Sequence, residues 1–113
     1  MGSQLKMLFV CSKNEWRSRT AETIFRNENN LEVKSAGTSK TARIRINKNL
    51  IDWSDVIFGM ENKHKKILTE QYRESLSTKE IIVLEIPDEY KYMEEELIKE
   101  LRSTHALQSA EQE

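Results

Sequence analysis

The chain has 113 residues, the length of one small domain, with 18 lysine and arginine residues against 19 aspartate and glutamate residues. A net charge of −1 creates no overall field that favours nucleic acid, and the apolar runs are only a few residues long, so neither nucleic acid nor a membrane is expected as a partner. The single cysteine, Cys11, excludes an internal disulfide and a multi-cysteine metal site, and a lone thiol predicts a reducing, cytoplasmic location.

The first part of the chain alternates strand and helix patterns. Residues 6–10 form a compact apolar run typical of a buried strand, and residues 11–17 are polar and irregular. Ser18 is predicted to be the N-cap of a helix that stops at residues 27–30. The apolar and polar alternation over residues 31–35 then predicts a second strand, which is followed by a turn and a loop.

The second part of the chain repeats this alternation. A short helix is predicted over residues 47–53, a strand over 56–58 and a charged helix over 61–72. Residues 81–84 carry the strongest strand signal, and the last helix is expected over about 92–101. The apolar residues of that last helix at helical spacing are Met93, Leu97, Ile98 and Leu101.

Alternating strands and helices predict a single α/β domain with a four-stranded parallel sheet and helices on both faces. The domain is expected to occupy residues 1–113, with a core over about 5–102 and a polar tail over about 104–113 that frays. Ligands of such sheets sit beyond the carboxyl ends of the strands. Segments 11–18, 35–38 and 86–90 follow those ends, so the site is predicted there.

Cys11 and Arg17 carry the main chemical signal. Cys11 directly follows a predicted strand, Arg17 lies six residues later, and a helix then begins. A loop of this length can wrap around a tetrahedral anion with its N–H groups pointing inwards, and a helix N-terminus adds positive potential. The guanidinium can bind two phosphate oxygens, while the positive field favours the thiolate, a nucleophile for phosphorus. The alternative is a buried structural thiol beside a surface arginine.

Phosphoryl transfer to a thiolate also requires an acid for the leaving group. Asp88 is the best placed carboxyl, at the rim after the fourth strand, where Pro87 stiffens the chain. An ordinary turn aspartate is the alternative explanation for Asp88. His64 is a second candidate, but it is expected in the middle of a helix among lysines.

Five stretches of the chain resemble the low-molecular-weight protein tyrosine phosphatases. The resemblance covers roughly residues 5–102, and the length suggests a short bacterial branch with a flavodoxin-like strand order. The stretches that carry it are the signature loop Leu8–Asn14 with Arg17 and Ser18, then Ala21-Glu22, Ser35-Ala36-Gly37-Thr38, Asp55-Val56-Ile57-Phe58 with Met60, Glu61 and His64, and Ile86-Pro87-Asp88.

This resemblance implies a role for each matching residue. Cys11 would form a phosphocysteine, Arg17 would stabilise the equatorial oxygens of the transferred group, and Asp88 would protonate the leaving oxygen and then activate water. No metal or other cofactor is implied, because arginine and backbone dipoles supply the charge. The residues expected to bind substrate are Ser12, Lys13, Asn14, Glu15, Trp16, Ser18 and Tyr90, and those expected to hydrogen-bond behind the loop are Asn14, Ser18, Ser35 and His64.

Four positions depart from the family pattern. Lys13 stands where glycine is usual, and a positive φ there would strain a lysine. Trp16 replaces a common second cysteine, and Arg19 replaces a common proline. Glu89 follows the acid where proline is common, which makes Glu89 the reserve acid. The aromatic walls of a phosphotyrosine pocket are expected from Trp16 with Tyr90 or Tyr92.

Several functions are compatible with this pattern. The first is hydrolysis of phosphomonoesters, with phosphotyrosine in proteins or small aryl phosphates as substrates and inorganic phosphate or sulfate as loop ligands. A protein arginine phosphatase is an alternative in which Glu15 faces a guanidinium, although Glu15 also fits a solvated rim charge. A non-catalytic module that binds phosphate or a phosphoprotein is a further alternative. A thioredoxin-coupled arsenate reductase is disfavoured, because it needs further cysteines.

Overall fold

Four parallel strands form the centre of the fold, in the order β2-β1-β3-β4. A computed structural model describes residues 4–28 and 30–104. The strands are β1 (Leu5–Cys11), β2 (Leu31–Gly37), β3 (Val56–Gly59) and β4 (Glu80–Val83). The order and the parallel pairing confirm the predicted α/β fold.

In the described part of the chain, four helices cover the two faces of this sheet. They are α1 (Arg17–Phe25), α2 (Lys48–Trp53), α3 (Asn62–Gln71) and α4 (Glu95–Ser103). Side chains of a strand point alternately to opposite faces, so Met7, Phe9 and Cys11 of β1 join one core and Leu8 and Val10 the other. The first core is shared with α1 and α4, and the second with α2 and α3. Because β1 is buried on both faces, packing from both sides fixes the position of its carboxyl end, where Cys11 lies.

The start of α1 differs from the prediction. Ser18 is not an N-cap, because α1 begins at Arg17 and its cap position is Trp16, whose side chain makes no capping hydrogen bond. The hydroxyl of Ser18 is instead fully buried and bonded to groups of the loop before the helix. The serine that looked like a helix signal therefore belongs to the site.

The start of α4 also differs from the prediction. Met93 has a φ of 61°, in the left-handed region that an α-helix excludes, so the helix begins only at Glu95. Met93 is therefore exposed, not packed inwards, whereas Leu97 and Leu101 are buried as predicted. The polar tail predicted to fray lies, beyond Thr104, outside the described residues. Over the described residues, no helix is long and apolar enough to cross a membrane.

Candidate active site

The loop between β1 and α1 closes around the sulfur of Cys11. The backbone N–H of Asn14 donates to Cys11 Sγ at 3.3 Å, and Ser18 Oγ lies 2.9 Å from the same sulfur. Asn14 makes this return possible with a φ of 59°, in the left-handed region that asparagine tolerates better than most residues. Lys13 has no positive φ, so the prediction of backbone strain at this residue is wrong. The positive φ lies at the next residue, Asn14.

Segment 38–43 packs against the back of this loop. The carbonyl oxygens of residues 11–14 all accept hydrogen bonds from it at 2.9–3.0 Å, including one from the backbone and one from the guanidinium of Arg43. The N–H and C=O groups of a peptide unit point in opposite directions. Fixing the carbonyl oxygens on one side therefore presents N–H groups to the other, which is the arrangement that binds anions.

Gly37, at the end of β2, allows this close approach. A Cβ atom at this position would lie 2.4 Å from the carbonyl oxygen of Ser12 and 2.6 Å from Ala42 Cβ. Neither distance is possible for a real side chain without moving the backbone of the loop. A glycine is therefore required here by the contact between the loop and segment 38–43, although its own φ is not positive.

A buried network of polar side chains orients the hydroxyl of Ser18 towards the sulfur of Cys11. The side-chain amide of Asn14 donates to Ser18 Oγ at 2.7 Å and to Ser35 Oγ at 2.9 Å, and Ser35 in turn donates to the carboxylate of Glu22. Since Ser18 Oγ already accepts from the amide, its own proton is available for Cys11 Sγ, which is closer than its other acceptor, a backbone carbonyl at 3.4 Å. The Ser18 hydroxyl is thus placed as a hydrogen-bond donor to the sulfur.

This network brings together Asn14, Ser18 and Ser35, which the sequence predicted as supports behind the loop. Glu22, which matches the family pattern in sequence but was not predicted to support the loop, also takes part. Its carboxylate accepts from Ser35 and lies 3.9 Å from the guanidinium of Arg43. Glu22 therefore links the buried network to the segment that packs behind the loop.

His64 supports the loop from the first turn of α3. It is the third residue of α3, not a mid-helix residue, and its Nδ1 accepts from the backbone N–H of Glu61 at 3.0 Å in a capping box. The ring proton is therefore on Nε2, which donates to Ser12 Oγ at 3.0 Å. Burial and the nearby charge of Arg17 lower the pKa of His64 to about 4, so the ring is neutral at pH 7.

The titration of His64 predicts a loss of stability in acid. Its ordinary pKa is 6.5 and its folded pKa is about 4, so the unfolded chain binds this proton first as the pH falls. The contribution is complete above about pH 6.5 and is lost towards pH 4, by about 3 kcal/mol in total. Urea unfolding of the wild type and His64→Gln across this range measures it. The variant should show a flatter pH dependence, and parallel curves would contradict the assignment.

Arg17 is buried and points its guanidinium into the site. Its Nη1 donates to Glu61 Oε2 at 2.5 Å and to the carbonyl oxygen of Ile86 at 2.9 Å, while its Nε lies 3.8 Å from Asp88 Oδ1. Partial burial acts to raise the pKa of Glu61, but the hydrogen bond and the charge of Arg17 outweigh it, so that this pKa lies below its usual range. Arg17 and Glu61 lie 44 positions apart in the chain, so no local pattern in the sequence marks this pair.

Glu61 is expected to keep the buried guanidinium in position. Glu61→Gln preserves an acceptor for Arg17 but removes the opposite charge, so the free energy of unfolding should fall by about 1–3 kcal/mol. Glu70→Gln is the matched control, because Glu70 is an exposed residue of α3 that makes no ion pair among the described residues. Urea unfolding measures both variants. Equal stability of the two would show that the pair with Arg17 contributes nothing.

A cavity of about 230 Å³ opens above the loop. Asp88 lines it with a side chain that is 57% exposed, and is therefore able to exchange protons with water. Among the described residues, no group of histidine, cysteine and acidic side chains could hold a metal ion. The residues that line the cavity are Cys11, Ser12, Lys13, Glu15, Trp16, Arg17 and Asp88.

The aromatic wall differs from the prediction. Trp16 lines the cavity, but Tyr90 packs against the core on the side of α1 and α4 and does not. Tyr92 lies elsewhere too, with its hydroxyl 2.9 Å from Thr23 Oγ1 and its ring 4.3 Å from the guanidinium of Arg19. The described part of the chain thus supplies one aromatic wall and not two. Glu89, the reserve acid, is also absent from the lining.

Comparison with known proteins gives matches of two kinds. The sequence model of the family "Low molecular weight phosphotyrosine protein phosphatase" matches residues 6–52, which contain all but the first residue of β1, the loop and α1. A comparison with curated proteins found no match. Among solved structures the chain is similar to several phosphatases.

Three examples of these structures that overlap with nearly the whole chain follow. The tyrosine phosphatase Wzb from Escherichia coli K30, in complex with phosphate, has a TM-score of 0.66 and 19% identity over 95% of this chain and 93% of its own. Wzb from Vibrio vulnificus, in complex with benzylphosphonate, has a TM-score of 0.66 and 22% identity over 96% and 94%. The YwlE arginine phosphatase from Geobacillus stearothermophilus has a TM-score of 0.63 and 20% identity over 96% and 88%.

These findings confirm the predicted resemblance to the low-molecular-weight protein tyrosine phosphatases, and the similar structures share the predicted fold. The matched family model describes phosphotyrosine phosphatases, the class of enzyme that the sequence predicted. The match includes the cysteine and the arginine of the loop.

Proposed function

We propose that this chain, whose signature loop and fold are those of the low-molecular-weight phosphotyrosine phosphatases, hydrolyses phosphomonoesters, with phosphotyrosine in proteins as the substrate. One observation carries the proposal. The sulfur of Cys11 accepts hydrogen bonds at the base of a cavity that is also lined by the guanidinium of Arg17 and the exposed carboxyl of Asp88. A nucleophile, a clamp for phosphate oxygens and a proton donor thus share one small space.

In the first step the thiolate of Cys11 attacks phosphorus. The S–P bond forms, the bond from phosphorus to the phenolic oxygen breaks, and that oxygen takes a proton from Asp88. Arg17 and the loop N–H groups stabilise the charge on the equatorial oxygens. Because Glu61 and the Ile86 carbonyl accept hydrogen bonds from Nη1, the donors on the other guanidinium nitrogens are left to bind the transferred group.

In the second step water attacks the phosphocysteine. The carboxylate of Asp88 accepts a proton from this water, the P–O bond forms and the S–P bond breaks, which returns the thiolate and releases inorganic phosphate. Ser18 can donate to the departing sulfur at 2.9 Å, since its position is fixed by Asn14. The chain's own arginine and backbone dipoles supply the positive charge in both steps.

A protein arginine phosphatase is the second candidate, favoured by Glu15. This residue lines the cavity and is exposed, so that its carboxylate can face the guanidinium of a phosphoarginine. YwlE, one of the similar structures, is an arginine phosphatase. A third candidate, a module that binds phosphate without turnover, would use the same loop.

Three assays separate these functions. Hydrolysis of p-nitrophenyl phosphate distinguishes an enzyme from a binding module. Paired peptides of one sequence, carrying phosphotyrosine or phosphoarginine, distinguish the two enzymes, and the larger kcat/KM is expected for phosphotyrosine. Glu15→Gln should reduce only hydrolysis of phosphoarginine. If the protein hydrolysed none of these substrates but still bound phosphate, the proposed phosphatase function would be overturned. The non-catalytic binding module would then be the remaining function.

A phosphatase of this kind also has an expected location, expected loop ligands and an expected substrate partner. A cysteine that acts as a thiolate must stay reduced, which fits the cytoplasm. Inorganic phosphate or sulfate is expected to occupy the loop as product or competitor, as phosphate binds Wzb of Escherichia coli K30. A phosphoprotein or a small aryl phosphate would be the substrate partner.

A further inference from the structure

Charge is distributed unevenly along this nearly neutral chain. Residues 33–51 contain five basic residues and no acidic one, whereas residues 85–96 contain six acidic residues and a single lysine. The basic residues of the first segment are Lys34, Lys40, Arg43, Arg45 and Lys48. Although the net charge is only −1, the chain therefore has one strongly cationic segment and one strongly acidic segment.

Three of the five basic side chains in residues 33–51 are already engaged. Lys48 pairs with Asp52 at 2.5 Å, Lys34 Nζ lies 4.6 Å from the centre of the Trp53 ring, and Arg43 bonds to the loop and pairs with Glu22.

Within residues 4–28 and 30–104, the remaining cations of this segment have no acidic partner. Lys40 and Arg45 are exposed and pair with no carboxylate of the described residues, and the same holds for Lys13 of the loop. Lys13, Lys40 and Arg45 are called the cationic rim below.

The cationic rim is held beside the cavity. Lys13 lines the cavity, and its Nζ donates to Thr41 Oγ1. The neighbouring residue Ser39 donates its backbone N–H to the carbonyl of Ser12 at 2.9 Å. Arg45 is tied to the end of β2 by a bridge to Gly37. These contacts fix the backbone near Lys40 and Arg45 against the loop that carries Lys13.

The strand order places the acidic segment on the other side. Lys40 and Arg45 of the cationic rim follow β2, one edge of the sheet, and residues 85–96 follow β4, the opposite edge. The loop of Cys11 follows β1, which lies between them. A peptide that puts its phosphate on Cys11 and extends across the mouth thus meets cations on one side and carboxylates, Asp88 first, on the other.

We infer that the substrates are phosphorylated protein segments with acidic residues on one side of the phosphorylated residue, and that the cationic rim selects them. This inference rests on the proposed phosphatase function and adds the class of sequence on which it acts. Exposed ion pairs each contribute little, so three of them are expected to raise kcat/KM by about five- to tenfold.

The first test uses four phosphotyrosine peptides, with three glutamates before the phosphotyrosine, after it, on both sides or on neither. Of the two peptides with glutamates on a single side, one should be the best substrate. The other should have the same kcat/KM as the peptide without glutamates. The advantage should shrink in 0.5 M salt, because salt screens exposed charges over distances of a few ångströms. Equal kcat/KM for all four peptides would overturn the inference, as would equal gains from either side.

Charge-matched variants locate the effect. Lys40→Gln with Arg45→Gln should remove the preference, while Lys34→Gln with Lys48→Gln removes the same charge from the same segment and should retain it. Hydrolysis of p-nitrophenyl phosphate should be unchanged in both double variants, since none of these residues lines the cavity. If both double variants lost the preference, it would depend on the total positive charge of the segment. That result would overturn the inference that the cationic rim selects the substrate.

A binding measurement separates this inference from the proposed function. Fluorescence anisotropy of the labelled peptides on Cys11→Ser protein requires no turnover. Tighter binding of one one-sided peptide, by the same five- to tenfold, would support the rim even if the wild type hydrolysed nothing. Hydrolysis of p-nitrophenyl phosphate together with equal binding of all four peptides would retain the phosphatase and reject the rim.

Discussion

Cys11→Ser is expected to lower kcat by at least about 10⁴-fold while leaving the fold intact. Serine places a hydroxyl where the sulfur accepts from the Asn14 N–H and from Ser18, but an alcohol at neutral pH is not ionised by two such bonds. The position is buried, and serine differs from cysteine only by one smaller atom, so the packing above Phe9 changes little.

Turnover of p-nitrophenyl phosphate and of a phosphotyrosine peptide measures the loss in Cys11→Ser, and urea unfolding checks the fold. Arg17→Lys is the companion variant. It keeps the charge but should also fail, because an ammonium cannot bind two phosphate oxygens while it keeps the contacts to Glu61 and the Ile86 carbonyl. Wild-type turnover by folded Cys11→Ser would show that another group attacks phosphorus.

Asp88→Asn is expected to slow substrates with poor leaving groups by about 10²–10⁴-fold and those with good ones far less. A phenol of high pKa needs a proton as its bond to phosphorus breaks, whereas a nitrophenolate can leave as an anion. Asp88 is the carboxyl that lines the cavity near Arg17, at 3.8 Å from Nε, and asparagine fills the same space without a transferable proton.

A series of aryl phosphates with leaving groups of increasing pKa measures this effect as a steeper dependence of log kcat/KM in Asp88→Asn. Glu89→Gln is the matched control, because Glu89 is the adjacent acid and does not line the cavity. Equal losses with all leaving groups, or a steeper slope in Glu89→Gln alone, would move the acid role away from Asp88.

The sequence by itself determined the features that depend on neighbouring residues. The apolar run before Cys11 predicted β1, because a strand buried on both faces needs consecutive apolar residues. Arg17 six residues later, at the start of a helix, predicted that a loop would bring guanidinium and sulfur to the same place. Parallel strands end at the same edge of a sheet, and so Asp88 was also expected there.

Only the tertiary structure decided the contacts between residues that are distant in the chain. Glu61 holds Arg17 from the start of α3, and no local pattern marks that pair. The strain expected at Lys13 falls on Asn14, because segment 38–43 fixes the path of the loop. Tyr90 packs against the apolar core that β1 shares with α1 and α4, and not against the cavity. Such choices depend on how separate elements pack together, which the spacing of residues along the chain does not encode.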